Sequence, residues 1–267
     1  MAALLDRQRR PAGSPTGEMP FLDHLEELRW RILWSLLALI VGSGIGIWLV
    51  MKYNVLTLLI EPIQPYLESG KLMYLSPSDP FFLTLRLGLT AGFLLASPIV
   101  LYQVWAFVSP ALLPQEKKAI VPALYLGLVL FAFGVVLAYV FALPMTLKFF
   151  MTNFQTEALQ ANIIAPTYLG LVVKLLLAFG AIFELPVVVL VLSAMGLVTS
   201  KFLREKRRYA LAGLTIMAAM ISPGDAITVT LLMMVPLILL YEMSIGLAHM
   251  VEKQRERSQD SAAAEAV

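Results

Sequence analysis

The sequence has no cysteine among its 267 residues and only two histidines, His24 and His249. Without cysteine, disulfides, zinc–thiolate centres and a cysteine nucleophile are excluded. Both histidines stand at the ends of apolar runs, so no imidazole is placed to ligate a haem inside a bundle or to activate a serine there. The metalloprotease signature HExxH is missing, and so is any GKS or GKT of a phosphate-binding loop. The "GSGIG" at 42–46 follows no strand and carries no nucleotide. His24 reads as an interfacial or packing residue. No enzyme reading survives, and no cofactor or metal is called for. Charge is scarce too: 14% of residues are charged, against about a quarter in a soluble domain. The formal charge of +2 is too small to point to nucleic acid. No cleavable signal peptide is expected, since residues 1–20 are polar and rich in Pro and Gly. The pair Arg9-Arg10 is followed by Pro11, Gly13 and Pro15 rather than an apolar segment, and reads as a basic tail.

What is abundant is hydrocarbon. Hydrophobic residues make up 59% of the chain and fall into six runs, at about 30–51, 81–108, 120–143, 168–192, 209–221 and 226–241. Crossing a bilayer takes about 20 residues, so the pattern predicts an all-α integral membrane protein in a single domain. It has six transmembrane helices, the last two short. Lys and Arg set the orientation. One set of flanks holds fifteen, namely Arg7, Arg9, Arg10, Arg29 and Arg31, then Lys117 and Lys118, then Lys201, Arg204, Lys206, Arg207 and Arg208, then Lys253, Arg255 and Arg257. The other set holds three, Lys52, Lys71 and Lys148. Both termini are therefore expected in the cytoplasm, with 1–29 as an arm and 250–267 as a disordered tail. The fifth run, at thirteen residues, reaches only roughly 20 Å against a hydrocarbon core of about 30 Å. A hairpin turning at "SPGDA" (222–226) then needs a locally thinned bilayer. In the loop at 52–80, Leu56, Leu59 and Ile60 share a helical face and suggest an amphipathic cap. Gly42 and Gly46 have the spacing that lets helices approach closely.

Within the runs, ionisable groups are few. Lys174 and Arg86 lie in outer halves, where they can snorkel. Glu184 is short and central, roughly 15 Å along the helix from Lys174, so the two are not expected to pair. A central acid opposes insertion by about 2.5–3.5 kcal/mol, and each Leu, Ile, Val or Phe favours it by about 0.3–0.6. The thirteen such residues at 175–192 supply very roughly 6 kcal/mol, so the segment still inserts. An acid tolerated there serves a proton-linked site, a substrate path or a polar partner. Pro186 removes the backbone bond to Ile182 and should bend the helix there.

Several stretches together resemble one family across nearly the whole chain: "HLEELRWRIL", "YQVWAFVSPALLPQEKKAIVP", "FELP", "KRRYALAG" and "LYEMSIGLAH". They are similar to TatC, the polytopic subunit of the twin-arginine (Sec-independent) protein translocase. The resemblance implies a cupped, six-helix receptor in the bacterial cytoplasmic (inner) membrane. It would bind twin-arginine signal peptides of folded proteins, associate with itself and with TatA-type and TatB-type single-span subunits, and draw on the proton-motive force. By motif, Glu27 and Glu116 match the acids that meet the signal arginines, with Arg29 beside them. Pro62, Pro98 and Phe107 fall at positions tied to function or shape. Glu184 matches an acid in polar contact with partner helices, and Asp225 the acid of the last turn. Two features depart from the family: 222–225 lacks the second proline often found there, and "TVT" at 228–230 stands where many relatives carry a glutamine. That glutamine's partner contact is not carried over. The competing reading is an ion-coupled secondary transporter of a small solute, with Glu184 and Lys174 as coupling site. It predicts two matching halves, and four full spans followed by a short hairpin show none.

Overall fold

The computed structural model of the protein describes residues 21–67, 70–108, 120–153, 162–221 and 227–265. Helix α1 (Phe21–Lys52) is followed by a short α2 (Val55–Ile60) and a 3₁₀ turn (Glu61–Tyr66), and then by α3 (Asp79–Val108). Helix α4 (Ile120–Leu137) runs through a π-helical turn (Ala138–Ala142) into α5 (Leu143–Asn153). The rest comprises α6 (Ala165–Ile182), α7 (Leu185–Ala194), α8 (Ser200–Glu205), α9 (Arg207–Ile221) and α10 (Ile227–Glu265).

Glycine decides how α1 meets α3. A methyl group added at Gly42 would stand 2.7 Å from the carbonyl oxygen of Gly92, and one at Gly46 would overlap the carbonyl oxygen of Gly88. Conversely, methyls at Gly88 and Gly92 would run into the backbone of Ile47 and Ser43. The Gly42/Gly46 spacing of α1 thus meets the same spacing in α3, and backbone packs on backbone. In hydrocarbon, where apolar side chains gain nothing by leaving lipid, such close packing is what joins helices. The outer faces of the pair carry Trp30, Trp34, Ile40, Leu89 and Phe93, all exposed, as lipid-facing residues must be. Helices α4 and α6 meet by a related device, with Phe183 against Gly134 and Phe131 against Gly180.

Proline positions explain the irregularities. Pro98 cannot donate to the carbonyl of Leu94, and the hydroxyl of Ser97 donates to it instead, at 2.7 Å. Helix α3 therefore continues unbroken past Pro98. Pro144 follows the π turn, where the N–H of Leu143 reaches back to Ala138; a one-residue widening before a proline relieves the clash of its ring with the preceding turn. Pro186 sits in the first turn of α7, where the missing N–H has no intrahelical partner to lose. The break consequently falls at Phe183 and Glu184, ahead of the proline.

At one end of the bundle, α2 and the 3₁₀ turn form a cap. Two hydroxyls satisfy its terminal carbonyls: Tyr139 donates to Leu58 and Tyr168 to Leu59, each at 2.6 Å. Leu59 and Ile63 are buried beneath it, while Leu56 is exposed; of the expected apolar face, Leu59 makes the deep contact. A strap reaches across to α6, where the N–H of Ala165 donates to the carbonyl of Met73 at 2.7 Å.

Among the described residues, five helical stretches are long and apolar enough to cross a membrane: His24–Lys52, Asp79–Val108, Pro122–Thr152, Ala165–Ala194 and Met233–Lys253. Helix α9 has 15 residues, two more than its apolar run of thirteen. The last helix corrects the reading at its C-terminal end. It does not stop at 241 but continues to Glu265, through the tail for which disorder was the expectation. The carboxylate of Glu242 turns aside to Arg207 at 2.6 Å, while Ser244, Ile245 and Ala248 keep a buried face. Beyond it, "EKQRERSQDSAAAE" is dominated by strong helix formers. The arm differs as well, being helical from Phe21. Asp225 and the turn at 222–226 lie outside the described residues.

Candidate functional site

Two acids carry the polar chemistry. The sequence "HLEELRWR" places His24, Glu27 and Arg31 at spacings of three and four, on one face of α1. Arg31 donates to Oε1 of Glu27 through Nε at 3.1 Å and Nη2 at 2.5 Å, and its Nη1 donates to Oε1 of Gln103 on α3 at 3.2 Å. Four residues along α3, Phe107 stacks on the His24 ring at 4.4 Å between centroids and 16° between planes. Two rungs thus fasten the start of α1 to the end of α3. The pair is not the exposed helix-surface type: the Arg31 and Glu27 side chains are only 26% and 19% exposed.

The other oxygen of Glu27 is different. Oε2 is buried and, among the described residues, has no hydrogen-bond partner; Nδ1 of His24 stands 4.0 Å from it. A buried acceptor left unmatched costs about 1–3 kcal/mol, more when charged, so this oxygen is primed for a donor. Arg29 is exposed on the same helix. Glu116, the second acid of the reading, lies outside the described residues. Pro98 is exposed and borders a cavity of ≈ 250 Å³ between α3 and α4, with Tyr102 and Tyr125. Pro62 is remote from both, at the start of the cap's 3₁₀ turn. The structure therefore brings Glu27 and Phe107 together and separates them from Pro62.

Glu184 occupies the break between α6 and α7. Its carbonyl accepts from Val187 and Val188 at 3.0 and 2.9 Å, which starts α7. Its side chain crosses to α4 and lies on Gly127, so closely that a methyl there would stand 2.9 Å from Oε2. Among the described residues, Oε1 is buried without a hydrogen-bond partner. Lys174 is exposed on the far stretch of α6 and forms no ion pair with it, as its distance along the helix predicts. Arg86 is exposed too, its guanidinium lying along Gly170.

The i, i+4 spacing of Glu27 and Arg31 marks them as a pair in the sequence, whereas Gln103 and Gly127 were passed over as parts of these sites. Gln103 had a signal, standing four residues from Phe107. Gly127 had none, since its importance lies in a neighbour 57 positions away (184 − 127).

Long apolar helices joined through glycine, with an acid at one end and another at a mid-bundle break, define a multi-pass α-helical membrane protein. Comparison with known proteins makes this specific. The profile of the family described as Sec-independent protein translocase protein (TatC) matches residues 23–236. The Sec-independent protein translocase protein TatC of Aquifex aeolicus is 38% identical over 90% of this chain and 99% of its own length. That of Escherichia coli K12 is 34% identical over 90% and 92%. A crystal structure described as the twin arginine translocase receptor TatC is 36% identical, covers 86% of this chain and 99% of its own, and superposes with a TM-score of 0.74. A second, in DDM, is 38% identical over 84% and 99%, with a TM-score of 0.75. The chain belongs to the TatC family. It is a core subunit of the Sec-independent protein translocase and not an enzyme, which also sets aside the small-solute transporter.

Proposed function

We propose that this subunit receives twin-arginine signal peptides through Glu27 and Glu116, with Arg29 at the rim, and meets a single-span TatA-type or TatB-type helix at Glu184. In this reading all six apolar runs cross the inner membrane, both termini are cytoplasmic, and transport of folded cargo draws on the proton-motive force. The observation that supports peptide recognition best is the buried, unpartnered Oε2 of Glu27. Arg31, itself held by Gln103, already holds the carboxylate by its other oxygen, so an incoming donor meets an acceptor whose orientation is fixed. A guanidinium offers planar, charge-assisted hydrogen bonds about twice as strong as neutral ones, and a lysine ammonium lacks that fork. Two acids at one face would therefore separate paired arginines from paired lysines.

The same logic applies at Glu184. A partner helix bearing one polar hydrogen would satisfy Oε1 inside the bilayer, where leaving it unmatched is most expensive. Photocrosslinking tests the first contact. A photoreactive residue at position 103 or 107 should capture a twin-arginine peptide and not its twin-lysine counterpart. Equal capture of both would remove Glu27 from recognition.

A further inference from the structure

Five cations fall within eight residues at the junction of α8 and α9: Lys201, Arg204, Lys206, Arg207 and Arg208, all exposed. Charge counting explains that they face the cytoplasm; it does not explain how they are held. Thr199 caps α8 by accepting from the N–H of Phe202 at 3.1 Å. Glu252 of α10 accepts from the N–H of Ser200 at 2.6 Å and from its hydroxyl at 2.5 Å. Tyr241 donates to the carbonyl of Leu203 at 2.7 Å. A six-residue helix is thus pinned to α10 along its inner face, and Lys201 and Arg204 project from its outer one.

The acids nearby are largely committed. Glu242 takes Arg207 at 2.6 Å, and Glu252 is spent on α8's own backbone and hydroxyl. Among the described residues, the exposed Glu205 is the acid left among Lys201, Arg204, Lys206 and Arg208, with no ion pair to any of them. Beside these cations, Leu197 and Phe202 are 67% and 49% exposed. Tyr209, where the apolar run of α9 begins, lies under Lys206 at 5.7 Å and Arg208 at 4.8 Å.

We propose that α8 and the first turn of α9 bind the phosphodiester headgroups of anionic phospholipids in the adjoining leaflet. Lipid, rather than soluble phosphate, is the occupant because the cations stand next to uncovered apolar side chains and an interfacial tyrosine. A free anion would use the charges and leave Leu197 and Phe202 in water. The site also serves the short helix beside it. At about 1.5 Å per residue, the 15 residues of α9 span roughly 22 Å of a core about 30 Å thick. Headgroups drawn down onto a fixed cationic collar meet that helix where it ends, which thins the bilayer on this side.

Native mass spectrometry of the detergent-solubilised protein tests this with phosphatidylglycerol and phosphatidylcholine. The variants are Lys201→Gln/Arg204→Gln and Lys206→Gln/Arg208→Gln. Each leaves thirteen of the fifteen orienting cations (15 − 2), so topology is kept. Wild type should retain phosphatidylglycerol in preference to phosphatidylcholine. Each pair should weaken that retention roughly thirtyfold, from about fivefold per surface cation. Arg7→Gln/Arg9→Gln, in the arm, should leave it unchanged, and excess inorganic phosphate should not displace the lipid. Unchanged retention in both pairs, equal retention of the two lipids, or equal loss in the arm variant overturns the proposal. Displacement by phosphate converts the site to one for soluble anions and overturns it too. Should a variant fail to purify, a salt titration of wild type decides: phosphatidylglycerol must be released as salt rises and phosphatidylcholine must not, and a flat response for both rejects the site.

Discussion

At Glu27 one carboxylate oxygen is tied to an arginine and the other is buried and unmatched; at Glu184 the unmatched oxygen lies in a break between two apolar helices, against a glycine. The surroundings differ in every other respect. Glu27 stands at the end of a helix whose apolar stretch is only 11% buried within the protein, and polar side chains of two helices fix its direction. Glu184 belongs to the most enclosed stretch, 44% buried, and packing alone positions it. One acid is oriented by hydrogen bonds and the other by shape. This difference predicts how each site fails.

The largest effect is expected at Glu184. Glu184→Ala should insert at least as well as wild type, since a central acid opposes insertion by about 2.5–3.5 kcal/mol, yet should lose crosslinking to a co-expressed single-span partner. Glu184→Gln should keep part of it through its amide. Because the two acids act separately, peptide binding should be unchanged in both. If Glu184→Ala kept full crosslinking to every partner, the contrast between the sites would collapse.

Gly127→Ala probes positioning by shape. The added methyl needs the space of a carboxylate oxygen 2.9 Å away, so the acid must shift and partner crosslinking should fall by about half or more, on the sensitivity of close-packed interiors to single carbons. Combining it with Glu184→Asp, which draws the carboxylate back by one methylene, should restore part of the loss. Gly213→Ala, which meets nothing within 4 Å, should be silent. A double variant no better than Gly127→Ala would mean that α4 and α6 had simply been pushed apart.

Smallest is the effect of loosening the hold on Glu27. Gln103→Ala removes one bond to Arg31, and at about 0.5–1.5 kcal/mol for such a bond should weaken a twin-arginine peptide only severalfold, as read by titration. Partner crosslinking should not move. No change in peptide affinity would show that orientation of Glu27 by Arg31 is unimportant.

The parts of this comparison differ in how far sequence discloses them. Glu184 was conspicuous because one acid in a run of hydrocarbon has no other explanation, and Pro186 announced a break nearby. The break's place, at Phe183 and Glu184, follows from a rule about where proline is tolerated, so it fell ahead of the proline. The glycines of α1 were legible by spacing, whereas the matching pair in α3 could be chosen only once the helices crossed. Glu27 came from its motif. Its support did not, because Arg31 reaches Gln103 across 72 positions. The last run was bounded at 241, whereas Glu242 points away from the face that stays buried and the helix continues beyond it.

The most direct test of the account is the titration of a twin-arginine signal peptide, and of its twin-lysine counterpart, against detergent-solubilised wild type, Glu27→Ala, Glu116→Ala and the double variant. Wild type should prefer the arginine peptide. Each single change should weaken it, by roughly ten- to 150-fold for a lost charge-assisted bond of about 1.5–3 kcal/mol, and the double change should weaken it most and remove the preference. All four proteins should be equally membrane-inserted. Equal affinity of wild type and the double variant for the arginine peptide would contradict the assignment of Glu27 and Glu116, even with export itself intact.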